Sequence, residues 1–112
     1  MYSHRSTVLH TYATMMPDSM NISSADVVLP IVPMFHVNAW GNPYACPVAG
    51  AKMVMPGNKM GDGPTLATLI NEEGVTMSAG VPTVWLGATK ESDIAMLKTA
   101  GNNDVHIILR GG

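Results

Sequence analysis

Asp26-Val27-Val28-Leu29-Pro30-Ile31-Val32-Pro33-Met34-Phe35-His36-Val37-Asn38-Ala39-Trp40 is the stretch on which the fold turns. Its first part, Asp26 to Ile31, is a continuous apolar run rich in branched residues, the pattern of a strand buried on both faces. Strands of that kind belong to parallel sheets, so helices are expected on either side. The surroundings agree, because no Asp, Glu, Lys or Arg lies between Asp26 and Lys52. A charge-free stretch of that length could span a bilayer. Pro30, Pro33, Pro43, Pro47, His36, Asn38, Gly41 and Asn42 argue against it, since they would leave backbone groups unsatisfied in lipid. Protein interior is the expected setting.

Working outward toward the N-terminus, Ser3 is positioned to cap a helix from His4. Val8, Leu9, Tyr12, Met15 and Met16 give that helix an apolar face, and Pro17 stops it. On the other side, Val37 to Gly50 reads as a kinked helix with two internal prolines. Ala51 to Met55 reads as a short strand, followed by a loop from Pro56 to Gly63. Pro64 opens a helix with Leu66, Leu69 and Ile70 inward, Glu72 and Glu73 outward, and Gly74 as a left-handed stop. Val75 to Ala79 is strand-like. Gly80 to Leu86 suggests a turn into a short helix, Ser92 to Thr99 a further helix, and Val105 to Leu109 a last buried strand before Arg110-Gly111-Gly112. Strands alternating with helices predict an α/β fold built on a partial, mostly parallel sheet with crossover helices.

The chain has 112 residues, 46% hydrophobic and 12% charged, with a net charge of −2. One small domain fits that length, and the composition excludes a disordered tail. Six scattered basic residues give no footprint for nucleic acid or an anionic membrane surface. The lone Cys46 makes no internal disulfide, and no signal-peptide pattern follows Met1. Both favour a cytoplasmic setting, with membrane-peripheral association as the variant.

Many catalytic signatures are missing: there is no Gly-x-Ser-x-Gly elbow and no Gly-x-x-x-x-Gly-Lys-Ser/Thr loop. The four histidines and one cysteine show no metal-ligand spacing. Gly57 to Gly63, with Lys59, has the composition of a surface loop more than of a phosphate cradle. Val32 to Trp40 is different. It follows the first buried strand, at the edge where open parallel sheets bind ligands. It sets the His36 imidazole and the rings of Phe35 and Trp40 between prolines and small residues, a suitable pocket wall. The same residues would also serve as core, with His36 bonded to a backbone carbonyl and Trp40 as packing.

Val32 to Trp40 resembles the gate motif of fatty acyl-CoA synthetases of medium- and long-chain type, members of the AMP-forming adenylate ligase superfamily. Tyr2-Ser3-His4-Arg5 resembles the segment after that family's phosphate loop, Ala79 to Trp85 resembles another family segment, and Gly111-Gly112 resembles the start of the adenylate-bordering turn. The resemblance implies a two-step reaction. A carboxylate attacks the α-phosphate of ATP to give an acyl-adenylate and pyrophosphate, and the thiol of coenzyme A then displaces AMP, with Mg2+ accompanying the nucleotide.

By the same resemblance His36 is the catalytic residue, orienting the carboxylate and hydrogen-bonding an oxygen as charge develops. A general base is not needed, since the carboxylate is already ionised. Trp40 would gate the acyl tunnel, Val37, Gly80, Val81 and Pro82 would line it, and Gly111 and Gly112 would let the backbone approach the nucleotide. Residues 1–112 would form an incomplete adenylating N-terminal domain without its phosphate loop and C-terminal domain, inactive alone. A homodimeric parent is among the assemblies implied. The sequence departs from the family pattern at Asn42 and Arg110, where apolar residues are typical. Two other readings stand beside this one: a ligase for aryl or other carboxylic acids, and a non-catalytic α/β binding module that would be self-sufficient, with no large apolar face exposed.

Overall fold

A computed structural model describes residues 1–80 and 106–109. Helix α1 (His4–Met15) is followed by strand β1 (Val27–Ile31), a single turn α2 (Val37–Trp40), helix α3 (Asn42–Ala49), the two-residue strand β2 (Lys52–Met53), helix α4 (Gly63–Glu73), and strands β3 (Met77–Gly80) and β4 (His106–Leu109). The four strands form one sheet in the order β2-β1-β3-β4, and every pairing is parallel.

The Asp26–Ile31 run forms the interior strand its composition predicts. Val28, Leu29, Pro30 and Ile31 are all buried, and their side chains alternate between two cores. Leu29 and Ile31 pack with Leu66, Ile70, Val75 and Val54 beneath α4. Val28 packs with Met77, Ile22, Ala45 and Cys46 beneath α3. The crossover from β1 to β2 through α3 therefore covers one face, and the crossover from β2 to β3 through α4 covers the other. Each fully buried Leu or Ile stabilises such a layer by about 1.5–3 kcal/mol. Asp26 and Thr76 fix the start of the β1–β3 pairing: Thr76 Oγ1 donates to the Asp26 carboxylate at 2.9 Å and accepts from the Val27 N–H at 3.0 Å.

The helices begin and end where local chemistry directs them. Ser3 caps α1, its hydroxyl accepting from the Ser6 N–H at 3.1 Å. Asp62 caps α4 by accepting from the Thr65 N–H at 3.2 Å and from the Thr65 hydroxyl. Gly74 ends α4 in the left-handed conformation, φ 65°. The kinked helix expected from Val37 to Gly50 is two pieces, α2 and α3, broken at Gly41.

Two expectations need correction. The apolar face of α1 is turned outward: Val8, Leu9, Tyr12 and Met16 are exposed, while Thr11 and Thr14 are the buried residues of that helix. A threonine can be buried there because its hydroxyl bonds back to the carbonyl one turn earlier, Thr11 to Thr7 and Thr14 to His10, each at 2.8 Å. The charge-free stretch is not uniformly interior, since Phe35, Tyr44 and Val48 face solvent. Met16 and Met55 are exposed as well, whereas Met15 and Met53 pack against the α3-side core.

Candidate functional site

The strand order determines where a ligand would meet this sheet. From β1 the chain crosses to β2 on one side, then returns past β1 to β3 on the other, so the winding reverses between β1 and β3. In an open α/β sheet the crevice outside the carboxyl ends of the strands at such a switch point is the ligand site. Ile31 and Gly80, the last residues of β1 and β3, are register partners, and Gly80 pairs in turn with Leu109 of β4. The carboxyl ends of β1 and β3, distant in sequence, thus lie side by side at one edge.

After β1 the chain turns sharply. The His36 N–H donates to the Pro33 carbonyl at 2.9 Å, closing a turn over Met34 and Phe35, and the His36 carbonyl accepts from the Ala39 N–H at 3.1 Å. This holds the His36 backbone at the carboxyl edge while its side chain is exposed. A core histidine bonded to a carbonyl is therefore not what the structure shows. Phe35 is 92% exposed, and Trp40 is half-buried. Ala39, Trp40 and Gly41 take φ values of 49°, 58° and 79° in succession. Left-handed backbone costs a non-glycine residue roughly 1–2 kcal/mol, so two such residues in a row mark a conformation that the surroundings enforce. Sequence reasoning identified the segment but not this strain, for which Gly41 was the only local signal.

The remaining predicted site residues divide by position. Gly80 is buried at the end of β3, directly opposite Ile31. Val37 lies in α2. Val81, Pro82, Gly111 and Gly112 lie outside the described residues, as do Arg110, Trp85 and the helix expected over 92–99. Two cavities of about 370 and 470 Å3 run along α1 and α3, sharing Thr7, Val8 and Tyr44 in their walls. Neither has His36 or Trp40 in its wall.

Asn42 was singled out in sequence only as a departure. Here it is 1% exposed, and both its Nδ2 and Oδ1 lack hydrogen-bond partners. No signal in the sequence foretold that. Cys46, one turn along on the same face of α3, is also buried. Desolvation, with a smaller contribution from the negative charge of Asp26, pushes its thiol up to about 11, which makes it a poor nucleophile. Among the described residues, no group of His, Cys, Asp and Glu could hold a metal ion. No helix among them is long and apolar enough to cross a membrane.

Comparison with known proteins bears on this geometry. A family model described as AMP-binding enzyme matches residues 1–112. The medium-chain-fatty-acid–CoA ligase of Ectopseudomonas oleovorans is 58% identical over 87 residues, 78% of this chain and 16% of that protein. The 3-methylmercaptopropionyl-CoA ligase of Ruegeria lacuscaerulensis is 55% identical over 87 residues, with the same coverage of 78% and 16%. The chain thus spans about 16% of the length of these relatives. Among solved structures, the inhibitor-bound N-terminal domain of FACL13 from Mycobacterium tuberculosis superposes with a TM-score of 0.67 at 16% identity, covering 95% of this chain and 31% of that one. The likeness to that structure is one of fold.

Proposed function

We propose, from the premise that this chain belongs to the AMP-binding enzyme family, that it supplies part of the acid-binding edge of an acid–CoA ligase. In that reaction ATP and a carboxylic acid give an acyl-adenylate, and coenzyme A takes the acyl group. The observation that carries the reading is the pairing of Ile31 with Gly80 at the switch point, which sets the end of β1, with the His36 turn after it, beside the end of β3. Residues 1–112 are then a portion of the adenylating N-terminal domain.

Within this reading each residue has a defined task. The exposed His36 imidazole, on a backbone tied by two hydrogen bonds, orients the carboxylate and donates to an oxygen as charge develops. Trp40, on the strained turn, covers the acyl group and excludes water, with Val37, Gly80, Val81 and Pro82 forming wall. Gly111 and Gly112 admit the nucleotide closely. ATP supplies the activating phosphoryl group when bound. Mg2+ would enter with the phosphates of ATP, which commonly supply part of its coordination; among the described residues no group of three or more His, Cys, Asp and Glu could hold it.

A fatty acid is the proposed substrate, in line with the 58% identical medium-chain ligase. A ligase for other carboxylic acids is the second reading, favoured by the nearly equal 55% identity to a ligase for a sulfur-containing acid. The self-sufficient, non-catalytic module is disfavoured by the exposed apolar face of α1.

Acid-dependent exchange of pyrophosphate into ATP by the full-length protein carrying this sequence tests the reading. Exchange should require a carboxylic acid. Replacing Trp40 by Ala should alter the dependence on acyl length while leaving the KM for ATP unchanged; equal losses in both would contradict the gate assignment. Replacing His36 by Ala should lower kcat/KM for the acid by about a hundredfold.

A further inference from the structure

Asn42 presents a physical problem that the fold does not solve. A buried amide left unpaired costs about 1–3 kcal/mol per group, and native structures tolerate few. At the start of α3 an asparagine would ordinarily serve as a helix cap, but the cap position is Gly41 and no side chain bonds there. The carboxamide is 1% exposed with both polar atoms free, so neither the helix nor bulk water accounts for it.

Its position indicates what it faces. Asn42 shares the inward face of α3 with Ala45 and Cys46, which pack against Val28 and Met77. Because α3 connects two parallel strands it runs back against them, so its first residue lies at the carboxyl edge, two residues after Trp40. On that face of the sheet, alternation from Val28 and Met77 places Pro30 and Ala79, a register pair, nearest the edge. Ala39 and Gly41, three residues and one residue before Asn42, are both buried. Of these side chains, the Cys46 thiol and the Met77 thioether are at most weak partners, and neither bonds the carboxamide. A leucine would suit such surroundings without the cost.

Resting on the acid-ligase reading above, we propose that Asn42 is a specificity-determining residue whose carboxamide receives a hydroxyl group carried by the acid. A carboxamide offers N–H donors and a carbonyl acceptor. A hydroxyl accepts from Nδ2 and donates to Oδ1, satisfying both at once, whereas an unsubstituted alkyl chain satisfies neither. The preferred acids are hydroxyalkanoates, and discrimination comes from the penalty of leaving the amide unpaired when the hydroxyl is missing.

The test compares hydroxyalkanoates with unsubstituted alkanoates of equal length, the hydroxyl moved along the chain, in pyrophosphate exchange by the full-length enzyme. For at least one hydroxyl position the native enzyme should favour the hydroxy acid by about tenfold or more in kcat/KM. Asn42→Leu and Asn42→Met should reverse that order by weakening the hydroxy acid and improving the alkanoate. Should neither variant fold, the native comparison decides alone. Exchange that is indifferent to the hydroxyl at every position overturns the proposal and leaves the ligase reading intact. So does a crystal structure of the acid-bound enzyme with an ordered water bonded to both amide atoms. Absence of exchange with every acid overturns both.

Discussion

Cys46 shows how a single side chain records its surroundings. It packs between α3 and the sheet with Val28 and Met77, and burial, followed by the charge of Asp26, raises its thiol from the ordinary 9.0 to about 11. The folded protein therefore holds this proton more tightly than the unfolded chain does. Its contribution to stability is complete below pH 9 and is lost as pH rises through 11. Urea unfolding followed from pH 8 upward should show the native protein losing stability more steeply than Cys46→Ala above about pH 9; parallel slopes would contradict the burial argument. Residues of this kind were readable in sequence only as types. That Cys46 is unpaired was plain from its being alone, but its inertness depends on a face of α3 that the prolines at 43 and 47 obscure. Asn42 was equally opaque, because an asparagine before a proline reads as a turn signal rather than a buried amide.

At the scale of elements, legibility followed the strength of the local signal. β1 was readable because five apolar residues in succession leave no polar face. Gly74 and Pro64 bracketed α4 correctly, while Asp62, the actual cap, went unread because it sits inside a glycine-rich loop. α1 misled because its apolar stripe follows helical spacing, yet in a helix that packs on α3 the buried residues are Thr11 and Thr14, with the ring of His10 beside Gly41. Spacing reports which residues share a face, not which face has a partner. That packing depends on Gly41. Its φ is 79°, and a Cβ there would lie 2.8 Å from both Cε1 and Nδ1 of His10. Gly41→Ala should destabilise the protein by about 1–2 kcal/mol through the backbone alone, and further through displacement of the imidazole. Adding His10→Ala should recover the second part and leave the first, as thermal melting of the two single variants and the double variant would reveal. A double variant as stable as His10→Ala alone would mean that the left-handed turn is not enforced.

For the whole molecule the decisive feature is the imbalance between its two sides. The α4 side is closed by Leu66, Ala67 and Ile70 over the sheet. On the other side α1 covers α3 but presents Val8, Leu9, Tyr12 and Met16 outward, next to Tyr44 and Val48 of α3, with a groove of about 370 Å3 between the two helices. Contiguous apolar surface of this kind is uncommon on soluble monomers and marks a face that is covered when the protein works. One sheet edge is also short, since β2 contributes only Lys52 and Met53, so backbone pairing there is a minor hazard compared with the helical face. The 112-residue chain by itself should therefore self-associate through α1. In velocity sedimentation the native chain should broaden and shift to larger species as concentration rises, and Leu9→Lys with Tyr12→Lys should return it to monomer without loss of helical circular dichroism. Both substitutions fall on exposed positions, so neither removes core packing and a restored monomer would report on the surface alone. A native chain that sediments as a monomer at every concentration would mean that the outward stripe of α1 is tolerated in water, and the imbalance would then carry no consequence.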